Sequence, residues 1–325
     1  MGERVATPVK ARVVRHRVDG VLLLDKPVGL SSNAALQHAK RLFNAAKAGH
    51  TGTLDPLASG LLPLCFGEAT KFAQDLLDAR KEYLATVRFG IATTTGDAEG
   101  ALVAEAPVEF ALADLTAAAE RFLGISQQVP PRYSALKYQG RNYYDYARAG
   151  VEIPRVPRAI EIERLEVLDF VPPLATLRVV CGKGTYIRTL AEDLAAAVGS
   201  VAHLTALRRT GSGFFHLERA LTLQQLEVLD PKERLRQLLP IDAALLGLPA
   251  ATLDAAASIA LQQGRSVGCP PEGSGRMRAY TASGTFLGVV EARESHYHPL
   301  RLVRTDAASG AIHDQGEATP TASAE

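Results

Sequence analysis

The stretch GHTGTLDPLASG, residues 49–60, holds a single carboxylate, Asp55, among turn-forming residues. Gly49, Gly52 and Gly60 permit backbone geometries that other residues avoid. Pro56 fixes the chain just after Asp55 and biases the aspartate toward an extended conformation. A lone carboxylate on a rigid turn suits covalent or acid–base chemistry. It equally suits an Asp-Pro turn whose carboxylate caps the backbone. A second stretch, CGKGTYIRTLAEDL at 181–194, puts Arg188 at the start of a helical pattern, beside Tyr186. An arginine near Asp55 would lower the carboxylate pKa by opposite charge and fix its orientation. Alone, Arg188 reads as a surface helix residue. In KEYLATVRFG, residues 81–90, Tyr83 alternates with Ala85 and Val87 on one strand face. That places it in the interior or lining a site, and a core tyrosine would have the same pattern.

Residues 130–158 carry Arg132, Lys137, Arg141, Arg148, Arg155 and Arg158 against Asp145 and Glu152. Tyr133, Tyr138, Tyr143, Tyr144 and Tyr146 are interleaved. Basic residues with aromatics between them make a nucleic-acid surface, or a solvated loop with packed tyrosines. The chain of 325 residues has 36 Lys and Arg, 35 Asp and Glu, and a net charge of +1. That excludes a polybasic binder while leaving room for a local basic groove. There is no G-x-x-x-x-G-K-[ST], G-x-G-x-x-G, G-x-S-x-G or H-E-x-x-H motif. His296 and His298 share a strand face with no third ligand evident, which reads as a surface pair. Three scattered cysteines (Cys65, Cys181, Cys269) fit a reducing cytoplasm. No apolar run approaches a membrane span, and the N-terminus shows no secretory signal.

These residues need elements to position them. GVLLL at 20–24 reads as a buried strand. Ser31 or Ser32 caps a helix expected over 33–46. Strands are expected over 61–65, 82–91, 161–170 and 174–181, with helices over 111–123, 187–198 and 222–238. This predicts a mixed α/β domain over about 18–245. After Pro240, a short helix over 251–263 and Gly-punctuated short runs such as 286–290 predict a small barrel. Residues 1–17 hold five basic side chains against Glu3, and 306–325 hold four acids and no Lys or Arg. Both read as disordered tails.

Six runs occur in order: GVLLLDKPVGLSS (20–32), GHTGTLDPLASG (49–60), KEYLATVRFG (81–90), PPRYSALKYQGRNYYDYAR (130–148), CGKGTYIRTLAEDL (181–194) and AHLTALRRTGSGFF (202–215). Together they closely resemble the TruB family of stand-alone bacterial tRNA pseudouridine synthases, which act on the T-loop uridine. The resemblance covers about 20–245, and more loosely 250–305. It implies an α+β fold: a mixed-sheet catalytic domain over 18–245 with an RNA-binding insert at about 124–158, then a PUA-like β-barrel at 250–305. Residue by residue it implies Asp55 as nucleophile, and Arg188 as its partner. Tyr83 would stack on the flipped uracil and serve in proton transfer. His50 would contact RNA where the base leaves the stack. Tyr186 and Leu207 would line the uracil pocket, and Lys26 would support the site.

The implied reaction breaks the N1–C1′ bond of uridine, rotates the uracil and forms C5–C1′. No atoms are gained and no redox occurs, so no cofactor and no metal are expected. The expected partner is tRNA, through its T-arm and elbow, with a monomeric cytoplasmic enzyme and no obligatory protein partner. Three alternatives remain: a glycoside hydrolase, which needs a second carboxylate ~5–9 Å from the first; a non-catalytic tRNA-binding or folding chaperone; and a guide-dependent pseudouridine synthase. Asp55 could attack C1′, assist a glycal route or add to C6 of uracil.

Overall fold

The computed structural model describes residues 15–270 and 273–304. The chain divides into two compact units, residues 1–246 and 247–325. Most of each expected tail (1–14 and 306–325) lies outside the described residues. Residues 15–17 do not behave as tail: His16 bridges to Ala45, and Arg17 Nε donates to Asp19 Oδ2 at 2.8 Å.

The first unit is built on a ten-stranded mixed sheet. Its spatial order is Leu221–Thr222, Gly20–Lys26, Ala58–Phe66, Ala202–Ser212, Lys81–Phe89, Leu174–Cys181, Arg158–Val171 and Gly124–Gln128. Ala48–His50 and Phe215–His216 pair off this path. The three middle strands matter most. Ala202–Ser212 runs parallel to Ala58–Phe66, with Leu207 opposite Ala58. It runs antiparallel to Lys81–Phe89, with Leu207 opposite Ala85 and Arg209 opposite Tyr83.

Two apolar clusters pack against this sheet. One gathers Val87, Phe89, Leu115, Leu177, Leu190, Leu194 and Leu204. The other gathers Leu24, Leu36, Leu62, Phe66 and Leu226. Tyr83 and Leu207 touch both, so they stand where the two meet. Phe89, 1% exposed, has Phe110 edge-on at 5.0 Å. Truncating such a buried ring to Ala costs about 3–5 kcal/mol.

The expected strands and helices are present, with shifted boundaries. The first helix is Ser32–Leu42, capped by Ser31, and it ends earlier than 46 because Asn44 turns into the left-handed region at φ 47°. The single helix expected over 222–238 is two, Leu223–Val228 and Pro231–Arg236. Pro231 has no N–H to continue a helix, and Asp230 caps the second one by accepting from Lys232 N and Glu233 N. Residues 124–128, expected to open the insert, instead form an edge strand paired with Arg158–Ile162.

The second unit is a five-stranded sheet, curled as a half-barrel, in the order Ala250–Leu253, Gly275–Thr281, Phe286–Arg293, His296–Leu302 and Val267–Gly268. The helix expected over 251–263 begins only at Ala255, because Asp254 caps it and the preceding residues are strand. Bulges at Ala279/Tyr280 and Val289/Val290 bend the sheet. At Gly288 (φ 137°) a Cβ would lie 2.3 Å from Arg301 O, so the strand crossing requires glycine. Leu253, Leu261, Leu287, Val290 and Tyr297 fill its core. His296 and His298 lie 6.3 Å apart by ring centroids. Among the described residues no cluster of three or more His, Cys, Asp or Glu is placed to hold a metal ion. No helix among them is long and apolar enough to cross a membrane.

Candidate active site

The Asp55 turn is stapled at both ends. Ser32 Oγ donates to Leu54 O at 2.9 Å and accepts from Leu54 N at 2.7 Å. Thr51 N donates to Pro63 O, Ala58 N to Asp55 O, and Gly29 N to Pro56 O at 2.8 Å. The last bond ties the turn to the 27–30 loop. Lys26, fully buried, secures that loop by donating from Nζ to Pro27 O and Leu30 O at 2.8 and 2.6 Å. At Gly60 (φ 101°) a Cβ would meet Arg209 O at 2.3 Å, so glycine lets the turn close onto the neighbouring strand.

Arg188 lies in the first turn of helix Ile187–Ala197, which packs on the sheet beside Ala202–Ser212. It is buried there, not on the helix surface. Its Nη2 is 2.9 Å from Asp55 Oδ2 and also donates to Tyr133 O at 2.8 Å. Its Nη1 donates to Thr95 O at 2.9 Å and lies 3.5 Å from Asp97 Oδ2. The expected ion pair is therefore present, but the expected pKa direction is not. The Asp55 carboxyl is pushed above its ordinary value: burial raises it most, Arg188 opposes this, Asp97 raises it further, and Lys26 lowers it. Desolvation of the charged form outweighs the arginine.

The other expected residues converge on the same place. The Tyr83 hydroxyl is bonded by Arg209 and its pKa lies above the usual value, chiefly through burial. Burial also lowers the Lys26 ammonium to about 8, and pushes the Tyr186 phenol up. His50 ends the short strand Ala48–His50; its Nδ1 is enclosed with no partner, and burial, with Arg209 nearby, lowers its pKa. Leu207 packs beside Tyr83 at the junction of the two clusters.

Three residues escaped the sequence reading. Asp97, 3% exposed, backs Arg188 from a TTTGD turn that reads as ordinary capping. Gln128 bonds the backbone of Tyr186. Arg209, 1% exposed, donates to Leu61 O at 2.6 Å and Gly52 O at 3.3 Å. Its signal was available, because strand alternation puts it on the face of Leu207.

The insert presents exposed Arg132, Lys137, Arg141 and Arg148. Arg141 stacks over Tyr146 at 5.0 Å and Arg148 over Tyr144 at 5.4 Å. A cavity of about 540 Å³ lies between the insert and the Ile91–Thr93 hairpin, lined by Tyr133, Tyr143, Arg155 and Thr94 among others. Asp55 is not part of its lining.

Family models match along the chain: a TruB family pseudouridylate synthase N-terminal domain at residues 40–187, a tRNA pseudouridylate synthase B C-terminal domain at 188–246, and a pseudouridine synthase II TruB C-terminal region at 249–303. The tRNA pseudouridine synthase B of Thiobacillus denitrificans is 53% identical over 291 residues, covering 90% of this chain and 98% of that protein. The one from Burkholderia mallei is 52% identical over 305 residues, covering 92% and 98%. Among solved structures, a chain of a Cbf5-Nop10-Gar1 complex superposes with a TM-score of 0.66 at 27% identity, covering 85% of this chain and 79% of that one. A chain of the archaeal box H/ACA sRNP Nop10-Cbf5 complex gives 0.66 at 25% identity, covering 88% and 86%. With half its residues identical to these synthases along nearly their full length, and the family's motifs gathered around one ion-paired aspartate, the chain belongs to the TruB family.

Proposed function

We propose that this chain isomerises the T-loop uridine of tRNA to pseudouridine, with Asp55 as nucleophile. Membership of the family makes it a tRNA pseudouridine synthase. The choice of uridine and the residue roles are our reading. The observation that carries them is the Asp55–Arg188 pair at 2.9 Å, set on a stapled turn beside Tyr83, Tyr186 and Leu207.

An enzyme that remakes a glycosidic bond must take the base out of its stack. The Arg and Tyr side chains of the insert bind the backbone and bases of the T-arm and elbow. His50, its pKa lowered by burial and its enclosed Nδ1 without a partner, meets the RNA where the uridine leaves. Asp55, ionised, attacks the nucleotide and frees the N1–C1′ bond. Tyr83, Tyr186 and Leu207 hold the uracil while it turns. C5 then bonds C1′, the bond to Asp55 breaks and returns its carboxylate, the C5 proton leaves and N1 gains one, so atoms balance without a cofactor. Tyr83 enters this transfer as a neutral phenol, since its pKa is raised, and Arg209 orients its hydroxyl. Lys26 keeps the adjoining loop in place. The second unit, in the PUA-like role, binds the tRNA body. The enzyme works as a monomer in the cytoplasm.

A glycoside hydrolase is disfavoured, because the second carboxylate, Asp97, is 3% exposed and engaged by Arg188 rather than free to protonate a leaving group. A folding module has no use for an ion-paired Asp55. A guide-dependent enzyme is disfavoured by identity of 25–27% to the Cbf5 chains against 53% to the stand-alone synthase. The test is incubation of an unmodified tRNA transcript with the protein, followed by pseudouridine mapping. One pseudouridine in the T loop is expected; none, or one elsewhere only, contradicts the reading.

A further inference from the structure

Gln128 is 3% exposed and ends the edge strand Gly124–Gln128, at the point where the chain leaves the sheet for the insert. Its side-chain amide serves both backbone groups of a single residue. Nε2 donates to Tyr186 O at 3.1 Å, and Oε1 accepts from Tyr186 N at 2.8 Å. Tyr186 is extended (φ −98°, ψ 111°). In that conformation the N–H and C=O of one residue point the same way, so a primary amide can bond both as a neighbouring strand would.

The place of this clamp gives it meaning. Tyr186 is the residue before helix Ile187–Ala197 and makes no side-chain capping bond of its own. The helix start is therefore held from outside, by Gln128. Arg188 follows two residues later, with its guanidinium on Asp55 and on Tyr133 O of the insert. The root of the insert, the backbone of Tyr186 and the arginine beside the carboxylate thus form one connected set.

We propose that Gln128 is a positioning residue for the isomerisation: its amide fixes Tyr186 and, through the first helical turn, Arg188 against Asp55, and joins both to the root of the insert. This rests on the pseudouridine synthase reading. The chemistry is selective, since only a head group with a donor and an acceptor satisfies both bonds. A glutamate keeps acceptors alone, and leucine fills similar space with neither.

The test compares the full-length wild type, Gln128→Leu and Gln128→Glu on an unmodified tRNA transcript. Enzyme is kept in excess, so that the single-turnover rate does not depend on the active fraction. Gln128→Leu should lower the rate at least tenfold with the tRNA dissociation constant within threefold. Gln128→Glu, which still accepts from Tyr186 N, should fall between. A purely structural role would lower the melting temperature and leave the rate and its split from affinity unmoved. A folded Leu or Glu variant at the wild-type rate, or a loss confined to affinity, overturns the proposal. If the Leu variant is insoluble, the Glu variant decides by the same two numbers. An inactive wild type on this transcript would count against the functional reading itself, which separates that failure from this one.

Discussion

Arg188 Nη2 stands 2.9 Å from Asp55 Oδ2, and the two side chains differ sharply in exposure: 7% for the arginine, 42% for the aspartate. The arginine is anchored from behind by Thr95 O, Tyr133 O and Asp97. The aspartate is presented. This division suits a nucleophile that must stay reachable while its orientation is fixed by a group that does not move.

On the proposed mechanism the pair also sets the lower pH limit of activity. The Asp55 pKa is raised by burial and held back by Arg188. The proposed attack requires the ionised form, so activity is expected above that pKa and lost as pH falls through it. Replacing Arg188 with Met removes the opposing charge and raises the pKa further. The acidic limb of the residual pH–rate profile should move to higher pH. An unmoved limb would count against the pairing.

The same direction makes a prediction about stability. A carboxyl whose pKa is raised on folding binds its proton more readily in the native state, so ionising it costs stability. The cost sets in as pH rises from the ordinary carboxylate range through the raised native value, and persists above it. Asp55→Asn should therefore raise the melting temperature at neutral pH, by an amount that solvent screening of the 42% exposed side chain keeps small. The gain should vanish at low pH, where wild-type Asp55 is protonated in both states. A variant that melts lower than wild type at pH 7 would show that pairing, not burial, dominates.

The two roles proposed for Tyr83 separate by substitution. Tyr83→Phe keeps the ring and removes the hydroxyl that Arg209 bonds. It should hold tRNA affinity within a few-fold and lower the rate by about 10²-fold or more, the usual worth of a proton-transfer group. Tyr83→Leu should lose more, because the stacking surface goes as well. Full activity in both variants would remove Tyr83 from the site.

Removing the second unit by ending the chain at Leu246 should preserve the target uridine and most of the chemical step. Binding to whole tRNA should weaken. The slope of log affinity against log salt should fall by about 0.7–0.9 for each phosphate that the second unit no longer neutralises. A T-arm stem-loop should barely register the change. A soluble truncated protein that modifies another uridine, or fails equally on the stem-loop, would contradict this division.

Much of the site was legible because its residues sit in short runs with their own turn chemistry. GTLDP announces a rigid carboxylate by composition alone, and the alternation in Lys81–Phe89 placed Tyr83 inward. Helix boundaries were less legible. Asp230-Pro231 and Asp254 each start a helix inside a longer periodic run, and periodicity alone does not report a cap. Asp97 and Gln128 were invisible for a different reason. Their partners, Arg188 and Tyr186, lie far along the chain, and only the sheet order brings them together. The net pKa direction of Asp55 needed the burial around it, which no local pattern contains.

The most direct measurement is pseudouridine mapping of an unmodified tRNA transcript after incubation with Asp55→Asn beside the wild type, with tRNA affinity measured on the same preparations. The wild type should place one pseudouridine in the T loop. The folded Asn variant should place none while binding tRNA within a few-fold of wild type. A substantial rate in that variant would contradict the assignment of Asp55 as the nucleophile.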